Sequence, residues 1–206
     1  MHEKKVIYAG KRLAEAGKAI ILIHGRGGTA ENILSLTEHL ELDEFAILAP
    51  QATRNTWYPY SFLVPRQQNQ PWLNAALGLI GELVNDIMLT GITKENIFIS
   101  GFSQGACLSL EFAARNPGRY GGIIAFTGGL IGDKITPDQY NGDFLQTPVF
   151  IGTSDPDPHI PVERAKQSEQ ILRNMHAKTT LKIYKDLGHM ISLEQLDTVN
   201  TLFFAS

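Results

Sequence analysis

Gly101-Phe102-Ser103-Gln104-Gly105 follows an apolar run, Asn96 to Ile99, and precedes a helical pattern that opens at Gln104. In that strand–turn–helix setting, G-x-S-x-G lifts a serine hydroxyl out of a strained turn, ready for nucleophilic attack. Side chains at 101 and 105 would collide with neighbouring backbone, which is why glycine is required at both. The helix N-terminus behind Ser103 also favours negative charge developing beside it.

A serine hydroxyl needs a base, and the base needs a carboxylate to orient it. Of the six histidines, His2 is terminal, and His39 and His176 fall on helical patterns. His189, in Leu187-Gly188-His189-Met190, lies between the last strand pattern and the last helix, where the chain order Ser…Asp…His puts the base. The acid should follow the strand Val149 to Ile151, in Gly152-Thr-Ser-Asp155-Pro-Asp157-Pro-His159-Ile-Pro161. Asp155, closer to the strand, is the preferred acid because a sheet fixes it best. Asp157, in an Asp-Pro step, is the alternative and otherwise reads as a turn carboxylate. His159 with Asp155, Asp157 or His24 has no metal-ligand spacing, so no metal is expected.

Acyl transfer also needs donors where the oxyanion forms. The amide of Gln104 supplies one. The loop His24-Gly25-Arg26-Gly27-Gly28-Thr29, after the apolar run Ala19 to Ile23, supplies the second, assigned to the Arg26 amide. Neither phosphate-binding glycine pattern is met there, so no nucleotide is expected.

These loops need a scaffold, and the apolar patterning describes one. Strand patterns occupy Val6 to Ala9, Ala19 to Ile23, Phe45 to Leu48, Asn96 to Ile99, Gly122 to Phe126, Val149 to Ile151 and Leu181 to Tyr184. Several lack alternation, as in strands covered on both faces. Helical patterns lie between them: Thr29 to Leu40 with Thr29 as N-cap, Trp72 to Leu89, Gln104 to Arg115, and Val162 to Met175. A last helix starts at the Ser192-x-x-Gln195 capping box. The alternation predicts an α/β fold with a mainly parallel sheet, helices on both faces and no lid domain, formed by residues 1–206 as one domain. The irregular stretch Pro50 to Pro71 carries Trp57, Tyr58, Tyr60 and Phe62. Trp57, Tyr58 and Phe62 are candidate substrate-binding residues, and a shallow, open site is expected because little other chain is left to shape it.

In the order His-Gly loop, Gly-Phe-Ser-Gln-Gly, Asp-Pro loop and Gly-His, the chain resembles the phospholipase/carboxylesterase family of α/β-hydrolases from about Ala19 to its C-terminus. The resemblance implies a Ser103–His189–Asp155 triad hydrolysing carboxylic esters, thioesters or lysophospholipids without a cofactor. The alternative on the same triad is a lyase or perhydrolase. Two features depart from the family pattern. The acid loop is two residues longer than the family's Gly-x-x-Asp-Pro-x-Val-Pro, and Arg26-Gly27-Gly28 replaces an apolar residue followed by Gly-Asp.

Composition excludes other classes. The 206 residues are 43% hydrophobic and 19% charged, with 18 Lys and Arg against 21 Asp and Glu, a net charge of −3. A balance this mild gives no electrostatic grip on nucleic acid or an anionic membrane. Cys107 is the one cysteine, so no internal disulfide forms. Glu82, Asn85 and Asp86 interrupt the longest apolar helix, which predicts no membrane span. The expected setting is cytoplasmic, with a small-molecule ester or thioester as partner; monomer or homodimer is left open.

Overall fold

The computed structural model describes residues 1–205. Seven strands form one sheet: β1 Val6–Gly10, β2 Lys18–Ile23, β3 Phe45–Pro50, β4 Ile97–Phe102, β5 Gly122–Phe126, β6 Pro148–Asp155 and β7 Lys178–Lys185. Their spatial order is β1-β3-β2-β4-β5-β6-β7. All neighbours are parallel except β1, which runs antiparallel to β3 on the edge.

The absence of alternation in β2 has the anticipated cause. Ile21 and Ile23 join one buried cluster, while Ile20 and Leu22 join the cluster on the opposite face. The first face is covered by α2 Trp72–Leu89, α3 Gln104–Arg115 and α4 Val162–Asn174; the second by α1 Ala30–Leu34 and α5 Leu193–Val199. α2 is long and apolar enough by composition to cross a membrane. Its stripe of Leu73, Ala76, Leu77, Ile80, Leu83, Val84 and Ile87 is instead buried in the core of the fold.

Thr29 caps α1 by accepting from the Asn32 amide, but α1 is shorter than its sequence pattern. The chain tightens into a 3-10 turn over Ser35–Glu38, where the Ser35 and Thr37 hydroxyls bond back to the carbonyls of Asn32 and Leu34. Such back-bonding to residue i−3 suits the tighter turn. The Ser192–Gln195 capping box forms as its spacing predicts.

Strand order sets the position of the site. From β2 the chain moves outward to β3, then returns past β2 to β4 and proceeds the other way. The loops leaving β2 and β4 therefore separate, and a crevice opens at the carboxyl ends of these adjacent strands.

Candidate active site

Ser103 occupies the turn between β4 and α3 with φ 55° and ψ −114°, a conformation costly for a residue with a Cβ. Its neighbours permit the turn. A Cβ on Gly105 would lie 2.0 Å from the Ile23 carbonyl oxygen, and one on Gly101 would lie 2.3 Å from the Gly105 carbonyl carbon. Ser103 is the N-cap of α3 yet makes no capping bond through its side chain, so its hydroxyl is free for chemistry. It donates instead to His189, with Oγ 2.8 Å from Nε2.

His189 Nδ1 lies 2.9 Å from Oδ2 and 3.2 Å from Oδ1 of Asp157. An ionised carboxylate only accepts, so Nδ1 carries the proton and Nε2 is left to accept from Ser103. The carboxylate that meets His189 is therefore Asp157 and not the preferred Asp155. The physical reason is strand length. β6 runs four residues past Ile151 and ends at Asp155, which pairs in register with Lys185 of β7 and is exposed. Asp155 therefore belongs to the sheet, and the loop that reaches His189 begins after it. Asp157 is a turn carboxylate as well: its Oδ1 accepts from the amides of His159 at 2.7 Å and Ile160 at 2.9 Å. Burial pushes its carboxyl up, but those two amides and His189 outweigh burial and hold it below the usual carboxylate value. Ser154 joins the acid and base loops, accepting from the Gly188 amide at 2.8 Å and donating to the Pro156 carbonyl at 3.0 Å.

The loop after β2 passes close to the nucleophile; a Cβ on Gly25 would sit 3.3 Å from that of Ser103. Two donors hold the Gly25 carbonyl, His24 Nδ1 at 2.7 Å and the Gly28 amide at 3.1 Å. The Gly25–Arg26 peptide is trans, so its N–H points opposite to that carbonyl. No protein acceptor among the described residues takes the Arg26 amide or the Gln104 amide at the start of α3. Both remain available to a ligand oxygen.

His24 is fixed in turn. Its Nε2 accepts from the Ala52 amide at 3.1 Å, and burial lowers its pKa below 6.5 despite the bond to Gly25. An unfolded chain takes up this proton as pH falls through about 6.5, while the folded chain resists it, so stability should decline below that pH. His2, likewise lowered by burial, acts in the same direction. The expected result is a melting temperature that falls between pH 7 and pH 5, with a shallower fall in His24→Asn. An equal slope in the variant would show that His24 carries none of it. Asp157 acts in a separate window: its contribution is lost only as pH drops below 3.8, the ordinary carboxyl value.

A cleft of ≈ 460 Å³ opens beside Ser103 and Gln104. Tyr58 and Phe62 line it, with Tyr60 on the rim. Trp57 does not, and its assignment to substrate is corrected. It is fully buried and donates from Nε1 to the His24 carbonyl at 2.9 Å, making it a support beneath the loop after β2. Three side chains hold the aromatic wall. Gln104 accepts from the Trp57 amide and donates to the Tyr58 carbonyl, both at 2.9 Å. Arg26 donates to the carbonyls of Pro59 at 2.9 Å and Tyr60 at 2.7 Å. Buried Asn69 accepts from the Tyr60 amide at 2.8 Å and donates to the Ser61 carbonyl at 3.0 Å. The Arg26 guanidinium is thus engaged by the wall. Burial pushes the thiol of Cys107, also in the lining, up to about 12, which keeps it from rivalling Ser103 as a nucleophile.

His159 stands at the rim with its ring 4.7 Å from that of His189, edge to face. Phe102 and Ile160 complete the lining. Sequence patterning overlooked Ser154, Asn69, Phe102 and Ile160 because each acts through a contact between distant segments. Only Asn69, a small polar residue in a proline-bounded loop, carried a local hint.

The phospholipase/carboxylesterase family profile matches residues 2–204. The chain is 53% identical to a phospholipase/carboxylesterase from Dyadobacter fermentans DSM 18053, whose crystal structure superposes with a TM-score of 0.96 over 98% of this chain and 97% of that one. It is also similar to acyl-protein thioesterase 1 of Gibberella zeae, at 26% identity over 87% of this chain and 86% of the relative. Acyl-protein thioesterase 1 of Saccharomyces cerevisiae is likewise 26% identical, over 90% and 91%.

Proposed function

Since the chain belongs to the phospholipase/carboxylesterase family and is a hydrolase of esters or thioesters, we propose that it works through an acyl-enzyme on Ser103. His189 is the general base and acid, Asp157 its orienting partner, and the Arg26 and Gln104 amides the oxyanion donors. The observation that carries this reading is the continuous relay from Ser103 Oγ through His189 to Asp157, at 2.8 and 2.9 Å.

In the first half-reaction Ser103 Oγ bonds the acyl carbon while its proton passes to His189 Nε2. The imidazolium that results is stabilised by ionised Asp157, and the anionic oxygen by the two amides. Collapse of the adduct releases the alcohol or thiol, which takes the Nε2 proton. Water then enters, gives a proton to Nε2 and frees the acid by the reverse path. No step needs a cofactor. The relatives named above are hydrolases, and no observation favours a lyase or perhydrolase.

A fluorophosphonate probe tests the assignment. One equivalent should attach to Ser103, found by peptide mass, and esterase activity should fall in proportion to labelling. Continued turnover of p-nitrophenyl acetate by fully labelled protein would defeat it.

A further inference from the structure

A second hollow of ≈ 390 Å³ lies on the far side of His189. Its walls are Ile33, Leu36 in the turn after α1, Phe102 at the end of β4, and Met190 and Ile191 beyond the base. It shares Gly25, Arg26, Phe102 and His189 with the first cleft, but neither Ser103 nor Gln104 reaches it. Met190 is 54% exposed, an apolar side chain left facing solvent at the edge of an apolar recess. The proposed mechanism so far gives this hollow no role.

We propose that it receives the leaving group, and that the preferred leaving group is an unbranched alkyl alcohol or thiol, so that apolar recognition falls on that side of the scissile bond. The inference rests on the Ser103–His189 reading and follows from where each product must go. After Oγ bonds the acyl carbon, the acyl group stays tied to Ser103 and lies in the cleft that Ser103 and Gln104 line. When the adduct collapses, the bond from the acyl carbon to the alkoxy oxygen breaks and its electron pair stays on that oxygen. The oxygen takes the proton from His189 Nε2, so it must lie within hydrogen-bond reach of the imidazole. Whatever it carries continues past His189, the shared wall, into the second hollow.

The linings differ in the same sense. Polar groups of Tyr60, Ser61 and His159, none of which reaches the second hollow, break up the acyl side. Aliphatic and aromatic carbon dominates the alcohol side, with Asn32 and Ser35 among its lining residues. Each methylene moved from water into such a lining should raise kcat/KM by about fourfold until the hollow is filled.

Two ester series separate the sides: ethyl to octyl acetate, and ethyl acetate to ethyl octanoate, followed by acid release in a pH-stat. The acetates should climb by about fourfold per methylene up to roughly hexyl, while the ethyl esters change by less than about fivefold across their whole range. Met190→Ser, an exposed change compatible with folding, should flatten the acetate series and leave the slope of the ethyl ester series as it was. A steep ethyl ester series beside flat acetates overturns the inference, as does a Met190→Ser effect confined to acyl length. Either result, in a protein that hydrolyses esters and labels at Ser103, leaves the triad standing. Absence of both turnover and labelling removes the triad and this inference with it.

Discussion

Ser103→Ala should lower kcat for a short ester by about 10⁶-fold, and His189→Ala added to it should cost nothing further. The two groups act as one unit, because the base has no task once the hydroxyl it activates is gone. The double variant therefore tests the relay more sharply than either single change. The measurement is steady-state hydrolysis with each preparation checked for contaminating esterase by the same fluorophosphonate. Losses that multiply instead of coinciding would mean that His189 does something other than serve Ser103. A Ser103→Ala protein within tenfold of the parent would remove the acyl-enzyme altogether.

Asp157→Asn should lower kcat by about 10⁴-fold while leaving the fold intact. An amide at 157 offers an N–H or a carbonyl to His189 Nδ1. Where the carbonyl faces it, the charge that stabilises imidazolium is missing; where the N–H faces it, the ring is held in the wrong tautomer. Asp155→Asn should stay within about threefold of the parent, since that side chain is exposed at the end of β6 and bonds no member of the relay. The pair of variants, compared on one ester with circular dichroism as a check on folding, decides the acid. A large loss at 155 with a small one at 157 would reverse the assignment. Asp157 also places the His159 and Ile160 amides, so a modest fall in melting temperature at 157 is expected alongside the catalytic loss.

The Ser103–His189 pair was legible because its requirements are local. Gly101 and Gly105 announce a turn that only a close backbone approach demands, and His189 sits in a short loop between two readable elements. The limits of α2 and α3 were equally legible, fixed by Pro71 and by the turn at Ser103 itself. The carboxylate that bonds His189 was not, because its identity depended on where β6 stops. Residues 152–155 carry no apolar run to mark them as strand, yet they pair with Lys182 to Lys185 of the edge strand β7. That strand is polar at its start, Lys178-Thr-Thr, so neither partner announced the pairing. Trp57 misled for a related reason: an aromatic in a long loop can line a cleft or fill the core, and only the bond from its indole to the His24 carbonyl distinguishes the two. The shallow site expected from a short chain has two recesses, because α1 and the segment after His189 contribute a wall that the irregular stretch Pro50 to Pro71 does not.

The anchoring of the aromatic wall has a consequence for how such a chain can diversify. Gln104 and Asn69 hold it by main-chain atoms of residues 57, 58, 60 and 61, and Arg26 grips the carbonyls of residues 59 and 60. None of these bonds depends on which side chain stands at 60 or 61. Position 60 can therefore be rewritten, by drift or by a library, while the segment keeps its path; at 61 the one bond to be replaced is that from the Leu63 amide to the serine hydroxyl. Held this way, the wall is a replaceable cassette in a fixed frame, and new selectivity can arise there at little expense to the chemistry.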